Sequence, residues 1–358
     1  MVVHLVENEV LCYADSFLSI FGEKNTCHPT ISIQDQARYM WELQGHIDEK
    51  FGGPGQGFSR IVTSPAEARR VIADGKLAVV LGVEASELFN CGLTNVFAPL
   101  FEGTGLYDPN FTCDVYDIDR ELDELYALGI RSIFPIHRFD NKFGGTLVDG
   151  GFLGFGNALS TGHLFQTEAC DVNTQGADLN GVPVLGSTDL LDTIFDLVGL
   201  DIDTRLLDYD PDIEHCNIRG LSPAGAYLIN RMIDKKMMIE IDHAGPKTAA
   251  NILDIASERD YSGVVTSHSW VHKKPDGSVH DHVKRLLTLG GFAAVYHSSV
   301  EKNYVLDDED IYIDESITAY LDVLNGLPYV QGIGLGSDIS GLGRQAGPRD
   351  SSTTDPLV

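Results

Sequence analysis

The chain has 358 residues, 43% of them hydrophobic, with 37 glycines and 14 prolines, which excludes a disordered, collagen-like or coiled-coil chain and leaves length enough for one large α/β domain. Its 53 acidic against 25 basic side chains give a net charge of −28, so a nucleic-acid backbone or an anionic membrane surface would be repelled. No apolar run approaches the roughly 20 residues of a membrane span; Leu77–Val83, for example, stops after a strand's length.

In chain order, short apolar runs alternate with helical patterns. Val2–Glu7 reads as a strand, Ile33–Glu49 and Pro65–Ala73 as helices, Leu77–Glu84 as a strand, Ile118–Ala127 as a helix and Arg131–Arg138 as a strand. After an interruption come the helix Pro223–Lys235, the strand Met238–Ala244, the helix Thr248–Ser257, the strand Gly263–Ser269, the helix Asp281–Leu289 and the strands Gly291–Ser298 and Val330–Asp338. Most strand runs are continuously apolar until their last residues, the pattern of parallel strands covered on both faces. Ser222-Pro223 supplies an N-cap and a first-turn proline, and Leu228, Ile229, Met232 and Ile233 form the apolar face that follows. The interruption, residues 143–220, is Gly- and Asp-rich with one short helical pattern at Asp189–Val198; loops of this length usually shape a site. Asp171–Gly176 within it has the beginnings of a calcium loop, but Val182 stands where the twelfth-position Glu belongs, so the segment reads as a solvated loop.

The polar residues fall at the carboxyl ends of the strands: Glu84, His137, His243, His268, His297 and Asp338. A (β/α)8 TIM-type barrel puts its chemistry at that rim. The fold expected is therefore α/β, a single barrel domain over residues 1–358 with the insertion at 143–220. Seven strands are recognisable where a barrel needs eight, so the first strand and the last helix are expected to be missing. Edges left open that way predict association, and a homo-oligomer is the expected consequence. Carboxylate and imidazole ligands delivered from separate strand ends are what a divalent metal requires, and Glu84, His243 and His268 supply them.

The six cysteines, at 12, 27, 91, 113, 170 and 216, show no zinc-finger spacing. Each sequential pair brackets a Gly-, Asn- or Asp-rich stretch, so three loop-closing disulfides of an exported protein stand beside six reduced thiols of a cytosolic one. The first residues, Met1 to Glu9, lack the basic start and the apolar core expected of a signal peptide. A secreted or periplasmic location is slightly favoured over the cytoplasm.

Five strings occur in register: Arg219-Gly-Leu-Ser-Pro-Ala-Gly, Ile241-Asp-His-Ala, Thr266-Ser-His-Ser, Leu289-Gly-Gly-Phe and Gly334-Leu-Gly-Ser-Asp. With Gly75-Lys76 leading to Glu84, and Leu128-Gly-Ile-Arg131 leading to His137, they resemble the membrane (renal) dipeptidase family of the amidohydrolase superfamily over residues 65–345, apart from the insertion. The resemblance implies that Glu84 matches the carboxylate bridging two zinc ions and that His243 and His268 complete one of them. It implies that Asp338 handles the proton of the metal-bound hydroxide and that His137 contacts the substrate or tetrahedral intermediate. The activity implied is hydrolysis of an amide or peptide bond in a small molecule or short peptide, by hydroxide attack on the carbonyl. His297, near its strand end, faces the same mouth and is expected to touch substrate.

Two departures from the family pattern bear on this. The family's first strand ends in His-x-Asp or His-x-His, and nothing here matches it except Tyr13-Ala14-Asp15, which lacks the imidazole. The chain is thus expected to begin at the second barrel strand and to hold one zinc ion or none by itself. The family's substrate-pairing arginine after His268 is replaced by a stretch beginning Lys273-Lys274, where either lysine would serve as a point charge. A lactonase or phosphoester hydrolase on the same metal scaffold, and a degenerate non-catalytic barrel, are the alternative readings.

Overall fold

A continuously apolar strand can be buried on both faces only if parallel neighbours and covering helices surround it, and β3 (Leu77–Ala85) meets that condition. In the computed structural model it runs parallel to β1 (Val2–Glu7), from Val2 against Val80 to Glu7 against Ala85, and on its other side to β4 (Ile130–Ile133). The structure describes residues 1–8, 12, 27–93, 113–148, 151–170, 214–269, 281–296, 321, 323–327, 332 and 334–338. They belong to two compact units, Met1–Val265 and Thr266–Val358.

In the first unit the parallel order continues from β4 to β7 (Met238–Glu240) and to the start of β8 (Val264–Ser269). A short strand that the sequence does not announce, β2 (Ser59–Ile61), pairs with the beginning of β3. Leu81, Val83, Ile130, Ile133, Ile239 and Val264 are completely buried. Helices α1 (Pro29–Lys50), α2 (Pro65–Ala73), α3 (Val115–Ala127), α5 (Pro223–Asp234) and α6 (Pro246–Glu258) alternate with these strands. Their starts follow local chemistry. Ser64 and Ser222 cap α2 and α5 ahead of a first-turn proline, and Asp114 with Asp117 forms a reciprocal capping box on α3. The apolar face expected for α5 is buried as read from the sequence.

The second unit contains the end of β8, α7 (Asp281–Thr288), β9 (Phe292–Tyr296) and β10 (Gly334–Gly336), with β10 parallel to β9. Among the described residues the strand path is β1-β3-β4-β7-β8-β9-β10. These seven parallel strands with intervening helices give an α/β fold of the TIM-barrel type.

Two expectations need correction. The strands expected to reach Arg138 and Ala244 stop at Ile133 and Glu240; Pro135, which has no N–H to donate to the ladder, follows β4 closely. The insertion also carries more structure than its loop composition announces: α4 (Gly151–Thr161) and an antiparallel hairpin of β5 (Thr167–Ala169) and β6 (His215–Asn217). Three-residue strands are too short to show a period. The helix pattern at Asp189–Val198 and the Asp171–Gly176 segment lie outside the described residues.

The cysteines pair sequentially, Cys12–Cys27, Cys91–Cys113 and Cys170–Cys216, closing separations of 15, 22 and 46 residues. Loop closures of this size each contribute about 3 to 4 kcal/mol by restricting the unfolded chain. Three disulfides indicate an oxidising compartment. Among the described residues no helix is long and apolar enough to cross a membrane.

Candidate metal centre

Glu84 lies next to last on β3 and is buried. Two imidazoles converge on one of its oxygens: Nε2 of His137 and Nε2 of His243 each lie 3.1 Å from Oε1. The two rings meet edge to face, with centroids 4.6 Å apart and planes at 83°. Phe134 packs beside both. Burial pushes the Glu84 carboxyl up, but the His137 and His243 imidazoles outweigh it and hold the group well below the usual carboxylate range. Glu84 is therefore an anion in a desolvated place, facing two nitrogen donors.

Neither histidine sits on a strand; His137 stands four residues beyond β4 and His243 three beyond β7, so something else must hold them. The loop following His137 does this. The Thr146 hydroxyl is shared between the carbonyl oxygens of His137 and His243, and the Leu147 amide donates to the His243 carbonyl at 2.8 Å. Asn141 donates to the carbonyls of Ser86 and Pro135, tying the ends of β3 and β4, while its own Oδ1 accepts the Phe143 amide. Asp140, completely buried, accepts the Thr146 amide and the Asn217 side-chain amide at 2.9 and 2.7 Å. Burial raises the Asp140 carboxyl against the pull of those two donors. Asp140 also faces Arg219, whose Nε is 3.7 Å from Oδ2.

The other nitrogen of His137, Nδ1, is 3.2 Å from the hydroxyl of Ser86, which also accepts from the Asn8 side chain at 3.2 Å. Two residues back along β3 from Glu84, Gly82 is in register with both His4 and Ser132. A Cβ at Gly82 would lie 2.3 Å from His4 Cδ2, so the absent side chain makes room for the imidazole. There His4 and Ser132 both meet Glu240 Oε1, at 3.3 and 2.9 Å, while Oε2 is buried without a hydrogen-bond partner. Burial lowers the His4 imidazole, but the Glu240 carboxylate outweighs that and raises it.

In the second unit His268 is buried near the end of β8, with Nδ1 3.1 Å from its neighbour Ser267 Oγ. Asp338 follows β10 in the left-handed region at φ 45° and is half-buried. Gly336 allows β10 to approach β8 closely, since a Cβ there would lie 2.1 Å from the Ser267 carbonyl oxygen and 2.6 Å from His268 Cα. His297 and the Lys273-Lys274 pair lie outside the described residues. The structure thus brings together Glu84, His137 and His243 in the first unit. Sequence reasoning missed Ser86, Thr146 and the His4–Glu240 pair; the signal for Ser86 was its place just beyond the Glu84 strand.

No family model matches the chain, and no curated protein sequence does. Among solved structures, a metallopeptidase from Rhodobacter sphaeroides liganded with a phosphinate mimic of the dipeptide L-Ala-D-Ala is 13% identical, over 87% of this chain and 61% of that one, with a TM-score of 0.44. An amidohydrolase from Pseudomonas aeruginosa is 14% identical, over 86% of this chain and 62% of its own, at the same TM-score of 0.44. A probable dipeptidase from Pseudomonas aeruginosa, PvdM, is 16% identical, over 89% and 72%, at 0.36. The chain spans about three fifths of the length of the first of these.

Proposed function

We propose that the chain carries a metal-dependent hydrolase site for an amide or peptide bond. The observation that supports it is the convergence of two imidazole Nε2 atoms on one oxygen of an ionised, buried Glu84. The donor types fit a divalent cation, because carboxylate oxygen and imidazole nitrogen both suit zinc and no soft thiolate is called for. Glu84 and His243 are the residues of the first unit proposed to hold the ion, and His268 is the third ligand that the sequence resemblance implies. A divalent ion bound there would supply Lewis-acid polarisation and a nucleophile at neutral pH.

The chain's own residues divide the remaining tasks. Glu84 and its imidazoles fix the charge at the strand ends. Thr146 and Asn141 hold the turns that present them. Asp338, past β10, is the group proposed to move the proton to the leaving amine. A short peptide is the substrate proposed, with zinc as the metal. The test is to measure bound zinc and hydrolysis of dipeptides, lactones and phosphoesters by the same preparation. Zinc binding with turnover of dipeptides alone supports the proposal. Turnover confined to lactones or phosphoesters replaces the substrate class, and absence of both metal and turnover overturns the reading. Asp338→Asn should lower turnover while leaving bound zinc in place.

A further inference from the structure

We infer that Ser86, with Asn8 behind it, is a positioning residue that fixes which nitrogen of His137 carries the proton, so that His137 stands at the site as a neutral hydrogen-bond donor through Nε2. Its consequence for catalysis rests on the hydrolase reading above; the proton placement does not.

Ser86 follows β3 directly and is completely buried. Its main chain is committed, because the amide donates to the Glu7 carbonyl and the carbonyl accepts from Asn141 Nδ2 at 3.1 Å. Asn8 stands just past Glu7, which is in register with Ala85, so Asn8 and Ser86 come from adjacent strand ends. The Ser86 hydroxyl lies 3.2 Å from Asn8 Nδ2 and 3.2 Å from His137 Nδ1. An amide nitrogen only donates, so Asn8 occupies a lone pair of Oγ. The hydroxyl hydrogen then needs an acceptor, since a buried donor left unmade is costly, and the acceptor beside it is Nδ1. A ring that accepts at Nδ1 carries its proton on Nε2. The far side of the ring agrees: Nε2 lies 3.1 Å from Oε1 of the ionised Glu84, which can only accept. A proton on Nδ1 would instead give Ser86 Oγ two donors and take from its own hydrogen the one acceptor beside it. The hydrogen on Nε2 thus lies next to the ligand carboxylate, where an oxygen gaining negative charge during hydrolysis needs a donor and would be repelled by a lone pair. Glu84 holds this hydrogen only while Oε1 is free to accept it. Ser86 holds the tautomer from the other nitrogen, whatever Glu84 is bound to.

The experiment is NMR of the ring nitrogens in histidine-labelled protein, metal-free and zinc-loaded, with the His137 signals identified by their loss in His137→Gln. A proton on Nε2 and a bare Nδ1 in the metal-free unaltered chain support the inference, and the same placement should persist with zinc added. A proton on Nδ1 overturns it. Should His137→Gln not fold, neutron diffraction of the unaltered chain locates the same hydrogens. The second arm is Ser86→Ala, measured for zinc affinity and for kcat and KM on a dipeptide. Zinc affinity and KM should stay within about threefold, while kcat falls about 10- to 100-fold, the range for partners that orient a site histidine. A kcat within about threefold of the unaltered chain overturns the positioning role. If the unaltered chain neither binds zinc nor turns over a dipeptide, the hydrolase reading fails, and the metal-free spectra still decide where the proton lies.

Discussion

The first unit presents two carboxylate–imidazole clusters on one face of its sheet, and they are built differently. At the end of β3, Glu84 receives two imidazoles on a single oxygen, and both rings come from turns beyond their strands. Two residues back along β3, at the level of Gly82, Glu240 meets one imidazole and one hydroxyl, from His4 and Ser132, which are inside strands. Residue types alone do not separate the two clusters. What separates them is convergence: turn residues can be swung until their nitrogens meet at one point, whereas strand residues are fixed by the ladder at intervals set by the pleat. The first arrangement suits an ion, and the second suits a neutralised charge inside a fold.

That contrast can be broken by substitution. Glu84→Gln should have the largest effect, lowering zinc affinity by more than about 100-fold in a chelator competition while the unfolding midpoint changes little. Glu240→Ala should do the opposite. It should cost about 3 kcal/mol in denaturant unfolding, because a buried pair loses one partner, and leave bound zinc unchanged. If Glu240→Ala strips the metal, the two clusters are one site. Gly82→Ala should cost about 2 kcal/mol by forcing His4 aside, and adding His4→Ala should recover part of that, read from the double-mutant cycle. A fourth substitution, far from both clusters, calibrates the pH measurements. Asp48 is held down at about 2, from an ordinary 3.8, chiefly by the Gly55 amide, with the Gly57 amide and Arg60 adding to it. A lowered carboxyl contributes stability above its unfolded value and loses it as pH falls. Asp48→Asn should therefore narrow the stability difference between pH 5 and pH 2 in acid titrations, and by less than any other change named here.

The strand-end logic was legible in the sequence wherever a polar residue closes a long apolar run, as Glu84 closes Leu77–Val83 and His268 closes its own. It was less accurate for His137 and His243, because the strands end earlier than their apolar character does. It failed for groups whose partners are backbone atoms far along the chain. Thr146 binds carbonyls 9 and 97 residues away, and His4 meets Glu240 across 236 residues. A short-range pattern carries no trace of such pairings. The same holds for Asp140, which faces Arg219 from far along the chain.

The hairpin of β5 and β6 has a further consequence for how this protein can change. Its antiparallel pairing brings Glu168 opposite Cys216, and the Cys170–Cys216 disulfide closes the chain just beyond. Asn217, at the base, is the residue that donates to Asp140 and to the Thr146 carbonyl. The described residues on either side of 171–213, Cys170 and Glu214, thus stand at a covalently closed point. Once the ends are joined, lengthening a loop adds little closure entropy, about 0.6 kcal/mol for each doubling even in a free chain. Asn217 keeps its hold on the loop beneath from a hairpin whose ends are covalently joined, so its grip does not depend on the length of chain between Cys170 and Cys216. The loop that carries Asp140 and Thr146 is thereby anchored from outside the parallel sheet.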